Sequence, residues 1–133
     1  KFDDAKAAGQ REVTVWGSGT PRREFLHVDD LADACVFLMN QYSDSAHINV
    51  GTGEDVTIRE LAEMVRDVVY PPAQLAFDTT KPDGAPRKLL DVSRLHRLGW
   101  QHRTPLLDGI RSTYRWFAAH RHDARLTSAH ATV

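Results

Sequence analysis

Residues 13–30 read VTVWGSGTPRREFLHVDD and contain three local patterns in immediate succession. The β-branched and aromatic residues 13–16 predict a strand, and the glycines and proline of residues 17–21 predict a tight loop after it. The chain then returns through residues 22–26, and a helix follows with Asp29 or Asp30 available as its N-cap. Strand, loop and helix in this order predict a fold that mixes α and β elements.

The helix that follows Asp30 has the clearest periodicity in the chain. Its apolar residues recur at offsets of three and four and form one stripe, which comprises Val28, Leu31, Ala32, Cys35, Leu38 and Met39. A second strand is expected at residues 46–50, with a turn at residues 51–53.

A further helix has a well-specified start. Thr57 and Glu60 have the spacing of a capping box, and Val56 and Leu61 can form a hydrophobic staple. Its apolar stripe comprises Ile58, Leu61, Ala62, Val65, Val68 and Val69. The prolines of residues 70–72 should end this helix, because proline lacks an amide donor.

Shorter elements complete the prediction. We expect the end of a helix at residues 1–9, a third strand at 75–77, a shaped polar loop at 79–87 and a short helix at 91–98. A last helix should follow Thr104, with Pro105 at its first position and an inward face of Leu107, Ile110, Tyr114, Phe117 and Ala118.

The expected fold class is α+β, with helices packed on a few strands that belong to a larger sheet. Residues 1–119 should form one domain, and residues 120–133 a loose tail because they have few apolar residues and no sustained period. The chain opens with Lys1 rather than Met, which suggests part of a longer protein. Some apolar edge surface should therefore be exposed.

Composition narrows the classes of function. The 17 Lys and Arg residues against 18 Asp and Glu residues give a net charge of -1, so the global basicity of a nucleic-acid-binding protein is missing. No apolar run approaches the roughly 20 residues that span a bilayer. The single cysteine, Cys35, cannot form an intramolecular disulfide, and a reducing cytoplasm is the natural expectation.

No dinucleotide fingerprint can be found in the sequence. A Rossmann site needs G-x-G-x-x-G, so that the backbone can approach a pyrophosphate at a helix start. Gly17 and Gly19 are followed by Arg22 at the third position, and the glycines of residues 51–53 are followed by Val56. Both pairs are better interpreted as turns.

Other catalytic and metal-binding patterns are also missing from the sequence. No tyrosine is followed four residues later by lysine, the pair that transfers a proton in short-chain dehydrogenases. His27, Asp29 and Asp30 could be imagined as metal ligands, but no H-E-x-x-H pattern or cysteine pair supports them. We therefore assign no catalytic, cofactor-binding or metal-binding residue.

Three residues suit a nucleotide diphosphate sugar. Arg23 offers a planar fork of donors to diphosphate oxygens, Trp16 offers a flat face and an indole donor, and Asp83 can accept from paired hydroxyls. Structural roles compete with these: Trp16 in a core, Arg23 paired with Glu24 or Asp29, and Asp83 bonded within its own turn.

The segments VWGSGTPRREFLHVDD, HINVGTG and TIREL strongly resemble extended short-chain dehydrogenases/reductases that act on nucleotide sugars. The segment KPDGAPRKLLD at residues 81–91, followed by LGW at 98–100, narrows the resemblance to the GDP-L-fucose synthase family. The resemblance to this family runs in order from Lys1 to about Ala119. Arg22 and the prolines at 71 and 72 depart from the family pattern.

The resemblance implies a substrate-binding portion of an α/β parent with a Rossmann fold and a smaller substrate domain. Residues matching Lys1, Trp16, Arg23 and Asp83 contact substrate in that family. The implied parent converts GDP-4-dehydro-6-deoxy-D-mannose to GDP-L-fucose by 3,5-epimerisation and 4-reduction with NADPH. NADP would bind mostly outside this chain, and the chain alone would be inactive.

The implied partners are a GDP-sugar, a missing N-terminal Rossmann half and further copies in a homo-oligomer. Two alternatives stay open. One is a part of another nucleotide-sugar epimerase or dehydratase, which changes the sugar and keeps the architecture. The other is a non-catalytic binding or interaction module derived from an enzyme domain.

Overall fold

The computed structural model describes residues 1–121. The expected tail at residues 120–133 therefore lies mostly outside the described residues. The elements in chain order are α1 (Phe2–Ala7), β1 (Glu12–Trp16), β2 (Arg22–Arg23), α2 (Val28–Gln41), β3 (Val56–Thr57), α3 (Ile58–Val69), β4 (Gln74–Asp78), β5 (Arg87–Lys88), α4 (Ser93–Arg97) and α5 (Leu106–Ala119). Helices combined with short strands confirm the α+β class.

The strands form two small sheets. In the first, β1 pairs in parallel with β4, and their register runs from Glu12 opposite Gln74 to Trp16 opposite Asp78. In the second, β2 lies between β3, which is antiparallel to it, and β5, which is parallel to it. Both β1 and β2 border the loop at residues 17–21, so this loop joins the two sheets.

Two apolar clusters hold the elements together. Ala5, Val13 and Ala73 form the first, at the start of the β1–β4 pair. Ala34, Leu95 and Trp100 form the second, which joins α2 to α4 and to the segment after it. Helix α3 packs against α5 and α1.

The predicted start of α3 is confirmed. The Thr57 side chain accepts a hydrogen bond from the Glu60 amide, and the Glu60 carboxylate accepts one from the Thr57 amide. These reciprocal bonds satisfy two amides that a helix start otherwise leaves unpaired. The prediction from local spacing succeeds because every partner lies within four residues.

The predicted cap of α2 was wrong. His27 is the N-cap, and its Nδ1 accepts from the Asp29 amide at 3.3 Å. Asp30 is instead buried, and its Oδ2 accepts from the amides of Thr104 at 2.9 Å and Arg103 at 3.3 Å. Asp30 therefore holds the segment that leads into α5.

Most of the predicted apolar stripe of α2 does not face the core, and the exception is Leu38, which packs against the second cluster. Val28 is 68% exposed and Met39 is 84% exposed, whereas Ala34 is fully buried. An apolar helical stripe ordinarily packs on a protein interior, but here the second cluster takes the side of the helix that carries Ala34. The exposed apolar residues of α2 that are larger than alanine are Val28, Leu31, Cys35, Val36 and Met39, which we call the α2 face.

The structure also differs from three smaller predictions. Residues 46–50 form no strand within the described part of the chain, although Ile48 and Val50 pack against the second cluster. Pro105 is the N-cap of α5 rather than its first helical residue. Ala118, which we placed on the inward face of α5, is exposed.

Candidate functional site

Trp16 ends β1 and is 62% exposed, so its interpretation as a core residue was wrong. The Lys1 Nζ lies 4.7 Å from the centroid of the Trp16 ring, and the Lys81 Nζ lies 5.8 Å from it. Lys1 also donates to the Thr14 carbonyl at 3.2 Å, which fixes its side chain along β1. An aromatic face beside two ammonium groups suits a ligand that combines a ring with negative charge.

The turn after Trp16 binds Asp83. The Ser18 amide donates to Asp83 Oδ1 at 2.9 Å, and the Ser18 hydroxyl donates to Asp83 Oδ2 at 2.6 Å. These hydrogen bonds, that of the hydroxyl first, hold the pKa of Asp83 below its ordinary value. Asp83 thus joins two loops rather than bonding within its own turn.

Glycine is required where Asp83 meets this turn. Gly17 has φ +84°, and a Cβ there would lie 2.3 Å from Asp83 Oδ1. On the other side, a Cβ on Gly19 would lie 2.4 Å from the Phe77 ring, which Arg59 covers at 3.8 Å. The glycines therefore serve close packing within the chain.

Arg23 carries a guanidinium without a carboxylate partner among residues 1–121. Its Nη1 donates to the Arg22 carbonyl at 2.7 Å, and its Nη2 lies 3.1 Å from the position of a Cβ on Gly84. The alternatives that paired Arg23 with Glu24 or Asp29 are not formed in the structure. The remaining donors of Arg23 can bind an anion.

Asp55 binds two other arginines near Arg23, namely Arg22 and Arg87. Arg22 Nε donates to Asp55 Oδ1 at 2.8 Å, and Arg87 binds Asp55 Oδ2. The hydrogen bond from Arg87, followed by that from Arg22, lowers the pKa of Asp55. Arg22 and Arg87 thus neutralise a carboxylate, while Arg23 stays unpaired within the described chain.

Glu24 is a structural residue that the sequence analysis did not identify. Its Oε1 accepts from the amides of Thr52 and Gly53, each at 2.6 Å, and its Oε2 accepts from the Leu90 amide at 3.1 Å. Glu24 therefore ties the turn at 51–53 and the segment after β5 to β2. In the sequence, the only feature that pointed to Glu24 was its position beside Arg23 in the motif at residues 15–30.

The residues predicted to contact substrate lie around two shallow cavities. Lys1 and Trp16 line one of about 210 Å³, and Arg23 lines another of about 240 Å³ together with Asp55 and His102. Asp83 connects the two cavities. Its side chain binds the turn after Trp16, and the next residue, Gly84, lies beside Arg23. The structure thus brings the predicted residues to neighbouring loops, but not into one enclosed pocket.

A serine, a histidine and a carboxylate also meet at the start of α2, and their hydrogen bonds have the wrong direction for nucleophilic catalysis. His27 Nδ1 accepts from the Asp29 amide, which leaves the proton on Nε2, 3.1 Å from Ser112 Oγ. Ser112 itself donates to the Gly109 carbonyl at 3.0 Å. A base for Ser112 would need an unprotonated Nε2, so this group is a helix cap.

The described residues do not fit a dinucleotide. The glycine turn is filled from both sides by Asp83 and Phe77, so its backbone is not open to a pyrophosphate. Within residues 1–121, no group of three His, Cys, Asp or Glu side chains is arranged to hold a metal ion. No helix in this part of the chain is long and apolar enough to cross a membrane.

Comparisons with known proteins agree on one group of enzymes. The profile of the NAD dependent epimerase/dehydratase family matches residues 3–51. A putative GDP-L-fucose synthase 2 of Arabidopsis thaliana is 61% identical over 88% of this chain and 36% of its own length. The GDP-L-fucose synthase of Escherichia coli K12 is 52% identical over 88% of this chain and 39% of its own length.

A solved structure extends the likeness to three dimensions. A GDP-L-fucose synthetase from Naegleria fowleri bound to NADP superposes with a TM-score of 0.87 at 29% identity, covering 93% of this chain and 39% of that one. The chain spans about a third of the length of the curated relatives it matches. GDP-L-fucose synthases are thus homologues of this chain over most of its length.

Proposed function

We propose that this chain, a homologue of GDP-L-fucose synthases, is the substrate-binding part of such an enzyme. The parent reaction converts GDP-4-dehydro-6-deoxy-D-mannose to GDP-L-fucose by 3,5-epimerisation and NADPH-dependent 4-reduction. The observation that carries the proposal is the guanidinium of Arg23, which has no carboxylate partner among residues 1–121 and lies beside Gly84, in the loop whose Lys81 approaches the Trp16 ring. Its neighbours Arg22 and Arg87 are both engaged by Asp55.

Each proposed contact matches one part of a GDP-sugar. Arg23 would bind diphosphate oxygens through paired donors, and Lys1 would add positive charge. Trp16 would pack its exposed face on a base or sugar ring. Asp83 would accept from hydroxyls, because a carboxylate has about four acceptor positions and Ser18 uses two of them.

The role of these residues would be orientation rather than chemistry. A ligand held at the diphosphate places its sugar relative to groups elsewhere in the enzyme, and small misplacements at a reacting centre cost rate heavily. NADP supplies hydride chemistry when bound. The described residues do not fit it, so it would bind mostly on a dinucleotide-binding half, and no catalytic residue is assigned here.

Two features support the proposal that this chain packs against a second, dinucleotide-binding half of the parent enzyme. The α2 face is exposed, and residues 46–50, whose sequence predicts a strand, form none within residues 1–121. Exposed apolar surface and a strand-forming sequence outside any sheet together suit a larger sheet whose other strands come from a dinucleotide-binding half. A homo-oligomer and a cytoplasmic location are likewise predictions.

Calorimetric titration of the chain with GDP tests the proposal. We expect binding, and we expect Arg23→Ala and Asp83→Ala each to weaken it about tenfold or more, because a charge-assisted hydrogen bond is lost. Arg111→Ala is the matched control, since Arg111 is exposed and pairs with Asp108 on α5. Equal GDP affinity in all of these variants would contradict the assignment.

A parallel titration with NADPH separates the two nucleotides. We expect no NADPH binding comparable to that of GDP, because the glycine turn is packed from both sides. NADPH binding as tight as GDP binding would argue for a dinucleotide module instead.

A further inference from the structure

We propose that Ser18 is a positioning residue for the GDP-sugar site, an inference that rests on the proposed function. Ser18 holds both oxygens of Asp83 and thereby docks the loop of residues 79–86 on the glycine turn. This arrangement, which we call the Ser18–Asp83 latch, orients Asp83 toward the ligand and sets its position relative to Trp16 and Arg23.

The hydrogen bonds of Ser18 leave its side chain one orientation. Its hydroxyl donates to Asp83 Oδ2, and it accepts from the Thr20 amide at 3.1 Å and pairs with the Thr20 hydroxyl at 2.7 Å. A serine hydroxyl has one proton and two lone pairs, so with Thr20 donating, the Ser18 hydroxyl is fully satisfied. Its single proton is committed to Asp83.

The turn that carries Ser18 is itself anchored to α3. The Arg59 amide donates to the Gly19 carbonyl at 2.9 Å, and Arg59 Nη2 donates to the Ser18 carbonyl at 3.3 Å. Phe77 packs on Gly19 from β4. The turn is therefore a fixed support to which the loop of residues 79–86 can be attached.

The loop depends on this attachment because it has little burial of its own. Every residue from 81 to 90 is exposed. Its other ties lie at its ends, where the Lys81 amide donates to the Asp78 carbonyl and the Arg22 amide donates to the Pro86 carbonyl. Between these ends, Asp83 is the residue that meets the turn, and Gly84 next to it lies against Arg23.

Hydrogen exchange tests the latch without any ligand. In Ser18→Ala, we expect the hydrogen-bonded amides at the ends of this loop, those of Thr80, Lys81 and Arg22, to exchange roughly tenfold faster, because the charge-assisted bond from the hydroxyl to Asp83 is lost. Ser18→Thr keeps the hydroxyl and should restore slow exchange. Ser45→Ala, at an exposed serine without a hydrogen bond within the described residues, should resemble the wild type. Unchanged exchange in Ser18→Ala would overturn the latch.

Titration with GDP-mannose at several pH values tests the positioning role. We expect Ser18→Ala to weaken binding about tenfold, with Ser18→Thr close to the wild type, and to add little weakening in an Asp83→Ala background. The acid limb of binding should move to higher pH in Ser18→Ala, since the Ser18 hydroxyl is the largest cause of the lowered pKa of Asp83. A purely structural effect of Ser18 would leave that limb in place.

The two experiments separate the two proposals. If Ser18→Ala loosens the loop and the wild-type chain does not bind GDP-mannose, the latch stands as a structural tie, but its positioning role fails together with the proposed function. If the wild type binds and Ser18→Ala binds equally well at every pH, the positioning role of Ser18 is wrong, and the proposed function survives.

Discussion

Asp30 has a role that depends on residues far away in the chain. It is 7% exposed, and its carboxylate binds amides at residues 103 and 104. Burial opposes its ionisation, but the hydrogen bonds from Thr104 and Arg103 outweigh burial and hold the pKa of Asp30 below its ordinary value. The charged form is therefore favoured by folding.

The pH dependence of stability follows from the direction of this shift. A lowered folded-state pKa adds stability above the ordinary value of about 3.9, and this stability is lost as the pH falls through the folded-state pKa. Asp30→Asn should lower the free energy of unfolding by about 1 kcal/mol at pH 7. It should also make the loss of stability at acidic pH, the acid limb of the stability curve, less steep.

Urea denaturation followed by circular dichroism from pH 3 to 7 measures both effects. Asp29→Asn is the matched control, because the side chain of Asp29 is 88% exposed. An acid limb as steep in Asp30→Asn as in the wild type would count against this account.

The neighbouring arginines 22 and 23 show that residue type alone does not tell which of two side chains binds a carboxylate. Both have the same donors, and only the structure shows that Asp55 binds Arg22 and leaves Arg23 unpaired within residues 1–121. In the sequence, Arg23 was selected for its planar donors and for its match to a substrate contact of the family. Its role in binding stays a prediction.

Among the elements, α3 depends most clearly on a local motif. Its capping box combines the Thr57 and Glu60 side chains, with hydrogen bonds of 3.0 and 2.7 Å to the two amides. Thr57→Ala should lower the free energy of unfolding by about 1 kcal/mol, since the Glu60 amide in the first turn loses its acceptor. Chemical denaturation checks this.

A conservative variant separates the cap from side-chain packing. Thr57→Ser keeps the hydroxyl and should stay within about 0.5 kcal/mol of the wild type. Equal stability of Thr57→Ala and the wild type would show that the cap contributes nothing measurable.

Helix α2 shows the limit of periodicity. The offsets of three and four correctly indicated a helix, but the core lies on the side of Ala34 rather than on the side of Val28 and Met39. Periodicity identifies an apolar face, whereas the packing partner must come from elsewhere in the fold. Within the described chain, the second cluster supplies a partner only for Ala34 and its neighbours.

For the whole molecule, the α2 face predicts association. Val36 is 60% exposed and Met39 is 84% exposed, and contiguous apolar surface of this kind favours protein contacts. We expect light scattering of the chain to show concentration-dependent association with itself. Met39→Glu should shift it toward monomer, because a charge would then be buried in the contact.

A substitution at the next residue provides the control. Asn40→Glu adds the same charge at an exposed polar position of α2 and should change association less. Neither variant should alter the free energy of unfolding by more than about 0.5 kcal/mol. A monodisperse wild-type monomer over a wide concentration range would contradict the prediction.

The sequence by itself determined the features that depend on near neighbours. These include the capping box of α3, the glycine turn after Trp16 and the α+β class, because turn and cap rules act within a few residues. The motif order was also enough to indicate GDP-L-fucose synthases, which the comparisons confirm as homologues.

Only the tertiary structure decided which groups meet across the chain. Asp83 binds Ser18 from 65 residues away, and Asp30 binds the Thr104 amide from 74 residues away. Such contacts depend on how α2, α3 and β4 pack together, and no local spacing encodes their partners. The same packing leaves Arg23 unpaired in the described chain and the α2 face exposed, because each carboxylate and each apolar cluster can satisfy only the groups brought beside it.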